Sequence, residues 1–336
     1  MTTTPRFPAF LVRDTPEGAA GSVEWLGRDD LPAGEVLIEV GYSSLNYKDA
    51  LASRGNKGVA PSLPHVPGID CAGVVVESSS DTVSAGDEVL VTGYDLGGAS
   101  WGGWSGLVRV PAEWVVPMPA GLDARAAMIY GTAGFTAAQC VTAVSDRVAP
   151  EAGDVVVTGA TGGVGVLAVA ILSKIGYRVT AVTGKSEQEA MLRELGASAV
   201  VGREAVVDES GRPMLKEKWS AAVDTVGGAT LATLLRSTAH RGVVAACGLV
   251  GGAELPLTVY PFILRGVTLA GIDSAKCPRE PRLEMWRRLA GDWRVELPAK
   301  MITEITLDGV AGRVEEILSG QVAGRTLVLP TRSSAA

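Results

Sequence analysis

The 336-residue chain has only four cysteines, Cys71, Cys140, Cys247 and Cys277, far apart and without a CxxC pair. That argues against a disulfide framework and against a structural zinc lobe, which needs closely spaced thiols. The cysteines read as buried packing residues. Only two histidines occur, His65 in LPHVPG and His240 after ATLATLLRSTA, read as a loop residue and a helix-end residue rather than as general bases. Aromatic residues make up 5% of the chain, and no basic run interrupts the balance of 30 Lys plus Arg against 37 Asp plus Glu, a net charge of -7. Nucleic acid and membrane surfaces are therefore not expected partners, and an anionic ligand would need a local basic pocket. No run of about eighteen apolar residues is present, and the start MTTTPRFPAF has neither the charged nor the apolar region of a leader peptide, so a soluble cytoplasmic protein is expected.

What is abundant is glycine, 42 residues, with a length that corresponds to about two domains. The first third carries short extended runs between turn signals: EVLIEV (35–40), DCAGVVVES (70–78), DEVLVTG (87–93) and GLVRVPAEWVVPMP (106–119). From about residue 124 the pattern becomes alternating. The small-residue helix AAMIYGTAGFTAAQCV leads to strand DVVVTGA, helix VGVLAVAILSKIG and strand YRVTAVT, and strands SAVV, SAAVDTVG, GVVAACG and VTLAGID follow with helices between them. Alternation of this kind predicts a doubly wound parallel sheet. Two helices, EPRLEMWRRLAGDW and DGVAGRVEEILSG, and the strand RTLVLP close the chain and are expected to return to the first domain.

In DVVVTGATGGVGVLAVAILSKIGYRVTAVTGK, Gly159, Gly162, Gly163 and Gly165 fall between a buried strand and a helix. Such a turn lets backbone approach a pyrophosphate, and the helix N-terminus supplies N–H groups and positive dipole. The second strand ends in Thr183-Gly184-Lys185, where an NAD enzyme would place an acid on the ribose hydroxyls. With the acid absent and a cation present, and with Arg203 after strand SAVV, the pocket is expected to take the 2′-phosphate of NADPH.

The order of motifs resembles the acryloyl-CoA reductase, or YhdH-type quinone-oxidoreductase-like, family of the zinc-independent medium-chain dehydrogenases/reductases over nearly the whole chain. The resemblance is carried by SLNYKDAL (44–51), PGID (67–70), YGTAGFTA (130–137), VTGATGGVG (157–165), DTVG (224–227), AACGL (245–249), PFILR (261–265), GIDS (271–274) and GRTLV (324–328). It implies an α/β protein with a Rossmann NADPH-binding domain at 125–272, inserted into a GroES-like β-rich catalytic domain at 1–124 and 273–336. It also implies a cofactor pocket of Tyr47, Gly162, Gly163, Val164, Gly165, Thr183, Gly184, Lys185, Arg203, Leu249, Ile263, Ser274 and Gln321. Gln321 stands where the family more often has Asn. In the related zinc alcohol dehydrogenases the counterpart of Asn46 is a metal-binding Cys and a GHE motif supplies His, whereas here PGID places Ile69 and Asp70, so no metal is expected.

Hydride transfer without a Lewis acid calls for an acceptor that takes up the charge itself, such as an enoyl thioester, an enone or a quinone. The family implies reduction of the activated C=C bond of acryloyl-CoA or a similar small enoyl thioester. An NADPH:quinone or enone reductase is the alternative, and an NADPH-binding sensor with little turnover is a second one. Tyr47 is the candidate hydrogen-bond donor or proton relay, with ring packing plus a cofactor contact as its other reading. Asp49 is a candidate catalytic carboxylate or the group that orients the NYKD loop. Arg54, Lys57, Arg279, Arg282 and Arg287 are candidate contacts for CoA phosphates or solvated charges. Trp101 and Trp104 are candidate acyl-pocket walls or loop anchors. Strand VTLAGID, after PFILRG, is expected to extend its sheet across a two-fold axis in a homodimer.

Overall fold

A computed structural model describes residues 6–331, which fall into two units. The first comprises residues 6–132, Ala275–Ala290 and 298–331, and the second comprises Ala133–Ser274 and Gly291–Leu297.

The first unit begins with an antiparallel hairpin of β1 (Phe7–Thr15) and β2 (Gly18–Leu26). Phe10, Leu11 and Val12 of β1 are buried with Leu45 and Trp104 in one core. β3 (Val36–Leu45) leads directly into a short helix, α1 (Tyr47–Ser53), and β4 (Asp70–Ser78) and β5 (Glu88–Thr92) follow. The expected extended run 106–119 is broken into β6 (Leu107–Val110), a 3-10 turn at Ala112–Trp114 and β7 (Val116–Pro117). The break starts at Pro111, which has no N–H for a ladder and opens the turn.

Helix α2 (Ala124–Ser145) is interrupted at Gly131, whose φ of 51° and ψ of -154° lie outside helical space. In the second unit follow β8 (Val155–Val157), α3 (Gly163–Lys174), β9 (Val179–Val182), α4 (Glu189–Glu194), β10 (Ala199–Val201) and β11 (Trp219–Asp224). They are succeeded by α5 (Gly228–Ser237), β12 (Thr238–Ala246), α6 (Tyr260–Arg265) and β13 (Thr268–Gly271). The strands form one six-stranded parallel sheet in the order β10-β9-β8-β11-β12-β13. Strands buried on both faces read as continuous apolar runs, which is why β8 is Val-Val-Val with every residue buried. The strand order reverses between β8 and β11, and in open α/β sheets ligands bind beyond the strand C-termini at such a switch.

The chain then supplies the first unit with α7 (Arg279–Ala290), β14 (Ile302–Thr306), α8 (Val310–Leu318) and β15 (Arg325–Leu329). β15 lies between β14 and β3 in the sheet order β14-β15-β3-β4-β5-β7, with β6 also paired to β3. One unit is a doubly wound parallel sheet and the other is β-rich, as the α/β, Rossmann-plus-GroES-like reading expects. No helix among the described residues is long and apolar enough to cross a membrane.

Candidate active site

In the second unit, the turn after β8 is held from three sides. Gly159 has φ 57°, its carbonyl accepts from the Gly162 N–H at 2.9 Å, and the Ala160 N–H donates to Val182 O of β9 at 3.0 Å. Gly162 caps α3 without a side-chain bond, so the first-turn N–H groups of Gly163, Val164 and Gly165 have no intrahelical acceptor. A Cβ on Gly165 would stand 2.2 Å from Gly159 O and 2.7 Å from Ala160 Cα, so helix and turn pack backbone to backbone. Across the switch point Thr158 donates its hydroxyl to buried Asp224 at 2.6 Å, and Asp224 in turn accepts from the Gly227 N–H at 2.8 Å. The Thr225 hydroxyl donates to Thr158 O at 3.0 Å, which ties DTVG to the glycine strand. Burial pushes the Asp224 carboxyl above its ordinary range.

Beyond β9 and β10 lies a cleft of about 430 Å³ lined by Thr183, Gly184, Ser186, Arg203 and Glu204, among others. The Arg203 guanidinium lies over Gly184, with its atoms 2.5 to 2.7 Å from where a Cβ would be. Thr183 is buried, its hydroxyl 3.3 Å from that of Thr161 and accepting the Lys185 N–H at 3.0 Å. The sequence-predicted Thr183, Gly184 and Arg203 thus come together, and Lys185 is half-buried beside them. Leu249 and Ile263 are 67% and 68% exposed apolar residues, and Ser274 sits half-buried in a bend after β13.

In the first unit, Asn46 is the N-cap of α1 and Tyr47 its first residue, 44% exposed. Asp49 is three places after the cap, so NYKD is a capping box rather than a loop. Asp49 Oδ2 accepts from the Asn46 N–H at 2.8 Å and Oδ1 from the Ile69 N–H at 2.7 Å, clamping helix to PGID turn. Every hydrogen bond recorded for this fully buried carboxylate is to Asn46, Gly68 or Ile69. Burial first, and the nearby Asp70 charge second, push its pKa up to about 7.

A carboxyl raised by folding favours the folded chain while it is protonated. Its contribution is complete below its ordinary value of 3.8 and is lost as the pH climbs to about 7. The melting-temperature difference between wild type and D49N is therefore expected to fall across that window and level off above it, which parallel thermal melts over the pH range would check.

Asp70, also fully buried, accepts from Ser44 Oγ at 2.6 Å, Asn46 Nδ2 at 2.8 Å, and Thr132 through both its N–H at 2.9 Å and its hydroxyl at 2.6 Å. Arg325, at the start of β15, donates Nη1 to Asn46 Oδ1 at 3.2 Å and Nε to Ile129 O at 2.8 Å. This network of Ser44, Asn46, Asp49, Asp70, Thr132 and Arg325 has no counterpart in the sequence reading. A charged residue at the head of each of two otherwise apolar strands, PGIDCAGVVV and GRTLVL, is the signal that could have found it.

Several candidates have other duties. Arg282, read as a possible CoA contact, is fully buried; it donates to Thr92 O and Ala275 O and stacks 4.1 Å from the Tyr94 ring centroid. Arg279 donates to Glu113 O and Val115 O, Arg287 pairs with Glu284 and Arg54 with Glu315, while Lys57 is exposed. Trp104 is completely buried and donates to Ser44 O of β3 at 2.9 Å, and Trp101 donates to Pro64 O at 3.2 Å, so the two indoles bond backbone, one on a strand and one in a loop. His65 is buried against Gly97 O, its pKa lowered by burial, and His240 is an exposed residue of β12, not of a helix end. Gln321 is exposed and donates its N–H to Glu316 O after α8.

Two family models match the chain: an alcohol dehydrogenase GroES-like domain over residues 32–120 and a zinc-binding dehydrogenase over residues 163–290. The acrylyl-CoA reductase AcuI of Ruegeria pomeroyi is 48% identical over 96% of this chain and 98% of its own. The chain belongs to the AcuI/YhdH branch of the medium-chain dehydrogenase/reductase family. The yhdH oxidoreductase of Salmonella enterica, solved in complex with NADP, is 46% identical and superposes with a TM-score of 0.92 over 96% of this chain and 99% of that one. Bacillus subtilis yhfP, solved with NAD bound, is 43% identical with a TM-score of 0.94 over 97% and 100%.

The zinc in one family name does not fit this donor set. Asn46 spends its amide on Ser44, Asp49, Asp70 and Arg325, Ile69 has no donor atom, and Asp70 is saturated by hydroxyl and N–H donors. Among the described residues no three His, Cys, Asp or Glu side chains are grouped to hold a metal. A nicotinamide dinucleotide with a 2′-phosphate does fit, because the close-packed glycine turn presents free N–H groups and the cleft after β9 is walled by Thr183, Gly184 and Arg203.

Proposed function

We propose that the chain is an NADPH-dependent reductase of the activated C=C bond of acryloyl-CoA, giving propanoyl-CoA, or of a similar small enoyl thioester. The observation that carries this reading is the 48% identity to an acrylyl-CoA reductase along nearly the full length of both chains. Bound NADPH would supply the hydride. Gly162, Gly163, Val164 and Gly165 would hold the pyrophosphate on the α3 N-terminus, and Thr183, Gly184, Lys185 and Arg203 the 2′-phosphate. Leu249 and Ile263 are assigned to the nicotinamide walls, which accords with apolar side chains left exposed in the protein alone. Ser274, Gln321 and Tyr47 are assigned polar cofactor contacts on the family resemblance.

The acceptor chemistry follows from the thioester. When hydride reaches the β-carbon, the π electrons move toward the thioester oxygen, and a proton must then reach the α-carbon. The exposed Tyr47 is assigned as donor to that oxygen or as proton relay, and Asp49 as the carboxylate that holds α1 under it.

We also infer a cytoplasmic homodimer. All four cysteines are free, in keeping with a reducing compartment. Among the described residues β13 pairs only with β12, leaving an open sheet edge preceded by exposed Val259, Ile263 and Leu264.

Cofactor oxidation with acryloyl-CoA, crotonyl-CoA, a small enone and a benzoquinone, each with NADPH and with NADH, tests the reading. Acryloyl-CoA with NADPH is expected to give the highest kcat/KM, and Y47F to lower kcat by about 10- to 100-fold with NADPH affinity unchanged. Turnover of the quinone or enone alone would refute the thioester assignment, and NADPH binding without turnover would indicate a sensor.

A further inference from the structure

We propose that Arg325 is the resident cation and positioning residue of the buried network: its guanidinium, in place of a metal ion, offsets part of the negative charge of Asp49 and Asp70 and fixes the Asn46 cap from which Tyr47 starts α1. Asp49 and Asp70 are both fully exclude-from-solvent carboxylates, and Asn46 Nδ2 donates to both, at 3.1 and 2.8 Å. Two carboxylates sharing one amide in a low-dielectric interior require a nearby positive charge or a proton. Arg325, 2% exposed, is the base that reaches them, through Asn46 Oδ1: Asp49 and Asp70 both act on its guanidinium, and among the described residues no other basic side chain is hydrogen-bonded to Asn46, Asp49 or Asp70.

The contacts then show what the cation holds. Nη1 takes the Asn46 carbonyl oxygen at 3.2 Å, which fixes the amide orientation so that its NH₂ must face the two carboxylates. A reversed amide would present oxygen to both anions and NH₂ to the arginine. Nε takes Ile129 O at 2.8 Å, two residues before the break in α2, while Thr132 on the other side of the break donates to Asp70. A Cβ on Gly131 would stand 2.5 Å from Asp70 Oδ2 and 3.0 Å from Arg325 Nη2, so the helix break is what lets backbone pass between the two charges. Nη2 itself is buried with no partner among the described residues, so the fork is not saturated by structural bonds alone. A metal would compete for donors already committed here; a guanidinium needs only acceptors and cannot lose its charge.

The role toward Tyr47 rests on the proposed function, whereas the charge pairing does not, and the experiment separates them. R325K, R325M, D70N and the double variant R325M/D70N are compared for melting temperature, NADPH affinity and steady-state kinetics. In R325M, kcat is expected to fall at least about 10-fold with the KM for NADPH within about 2-fold, and R325K to recover most of kcat. R325M and D70N are each expected to lower the melting temperature by several degrees, and the double variant by clearly less than their sum, because it leaves fewer unpaired buried charges. Additive losses would overturn the charge pairing, and wild-type kcat in R325M would overturn the positioning role. If R325M does not fold, a folded double variant supports the pairing and an unfolded one contradicts it. If the wild type turns over no acceptor, the functional reading fails, and the melting cycle still decides the pairing.

Discussion

Gly165→Ala is expected to raise the Kd for NADPH by more than about 100-fold while leaving the chain folded. The added methyl would meet Gly159 O at 2.2 Å and Ala160 Cα at 2.7 Å. These are backbone atoms, so no side chain can rotate out of the way, and either the turn or the first turn of α3 must shift. Overpacking of this kind costs about 1–3 kcal/mol in stability. The loss in binding is greater because a pyrophosphate needs several N–H groups aimed at once, and a displacement of a few tenths of an ångström misdirects all of them. The rest of α3 is buried from Gly165 to Leu172 and keeps the helix on the sheet. NADPH titration beside a thermal melt checks this; an affinity within about 3-fold of wild type in a folded variant would show that the turn does not hold the cofactor.

Replacing Lys185 and Arg203 together with alanine is expected to weaken NADPH by about 30- to 300-fold and NADH by less than about 3-fold. The two cofactors differ only in the 2′-phosphate, and charge-assisted bonds to a phosphate contribute roughly 1.5–3 kcal/mol each before solvent screening. Arg203 is exposed and already lies over Gly184 at the cleft. The difference between NADPH and NADH should shrink in high salt, since the pocket is open to solvent. Equal weakening of both cofactors would mean that these residues support the adenosine pocket as a whole and do not select the phosphate. The NAD found with the yhfP structure makes this comparison informative, because the shared fold accommodates a dinucleotide lacking that phosphate.

The parallel-sheet unit was readable because its signals are local. Val155–Val157 and Trp219–Asp224 are apolar runs buried on both sides, and the glycine turn falls between a strand and a helix at fixed spacing. The hairpin partner GAAGSVEWL was not readable, since its small residues alternate only weakly between exposed and half-buried positions. The pieces of the reaction site were legible one at a time: Asn46, Tyr47, Asp49 and PGID stand within 25 residues of the sequence. Their joining was not. Arg325 reaches Asn46 across 279 positions, and Thr132 reaches Asp70 across 62, so the network exists only after β15 and β3 pair. Arg282 shows the same limit from the other side. In EPRLEMWRR it is one of several helix arginines, and only the packed structure separates it, buried on Thr92 and Tyr94, from exposed Arg287.

Zinc chemistry and metal-free conjugate reduction differ in where the hydrogen atoms end up, and the central claim is tested most directly by following them. Acryloyl-CoA would be reduced with NADPH deuterated at the transferred position of the nicotinamide in ordinary water, then with unlabelled NADPH in D₂O, and the thioester product read by mass spectrometry and NMR. The expected result is one deuterium on the β-carbon of propanoyl-CoA in the first case and one on the α-carbon in the second. Label on neither carbon, or reduction at the thioester carbonyl to give an aldehyde or alcohol, would contradict the account.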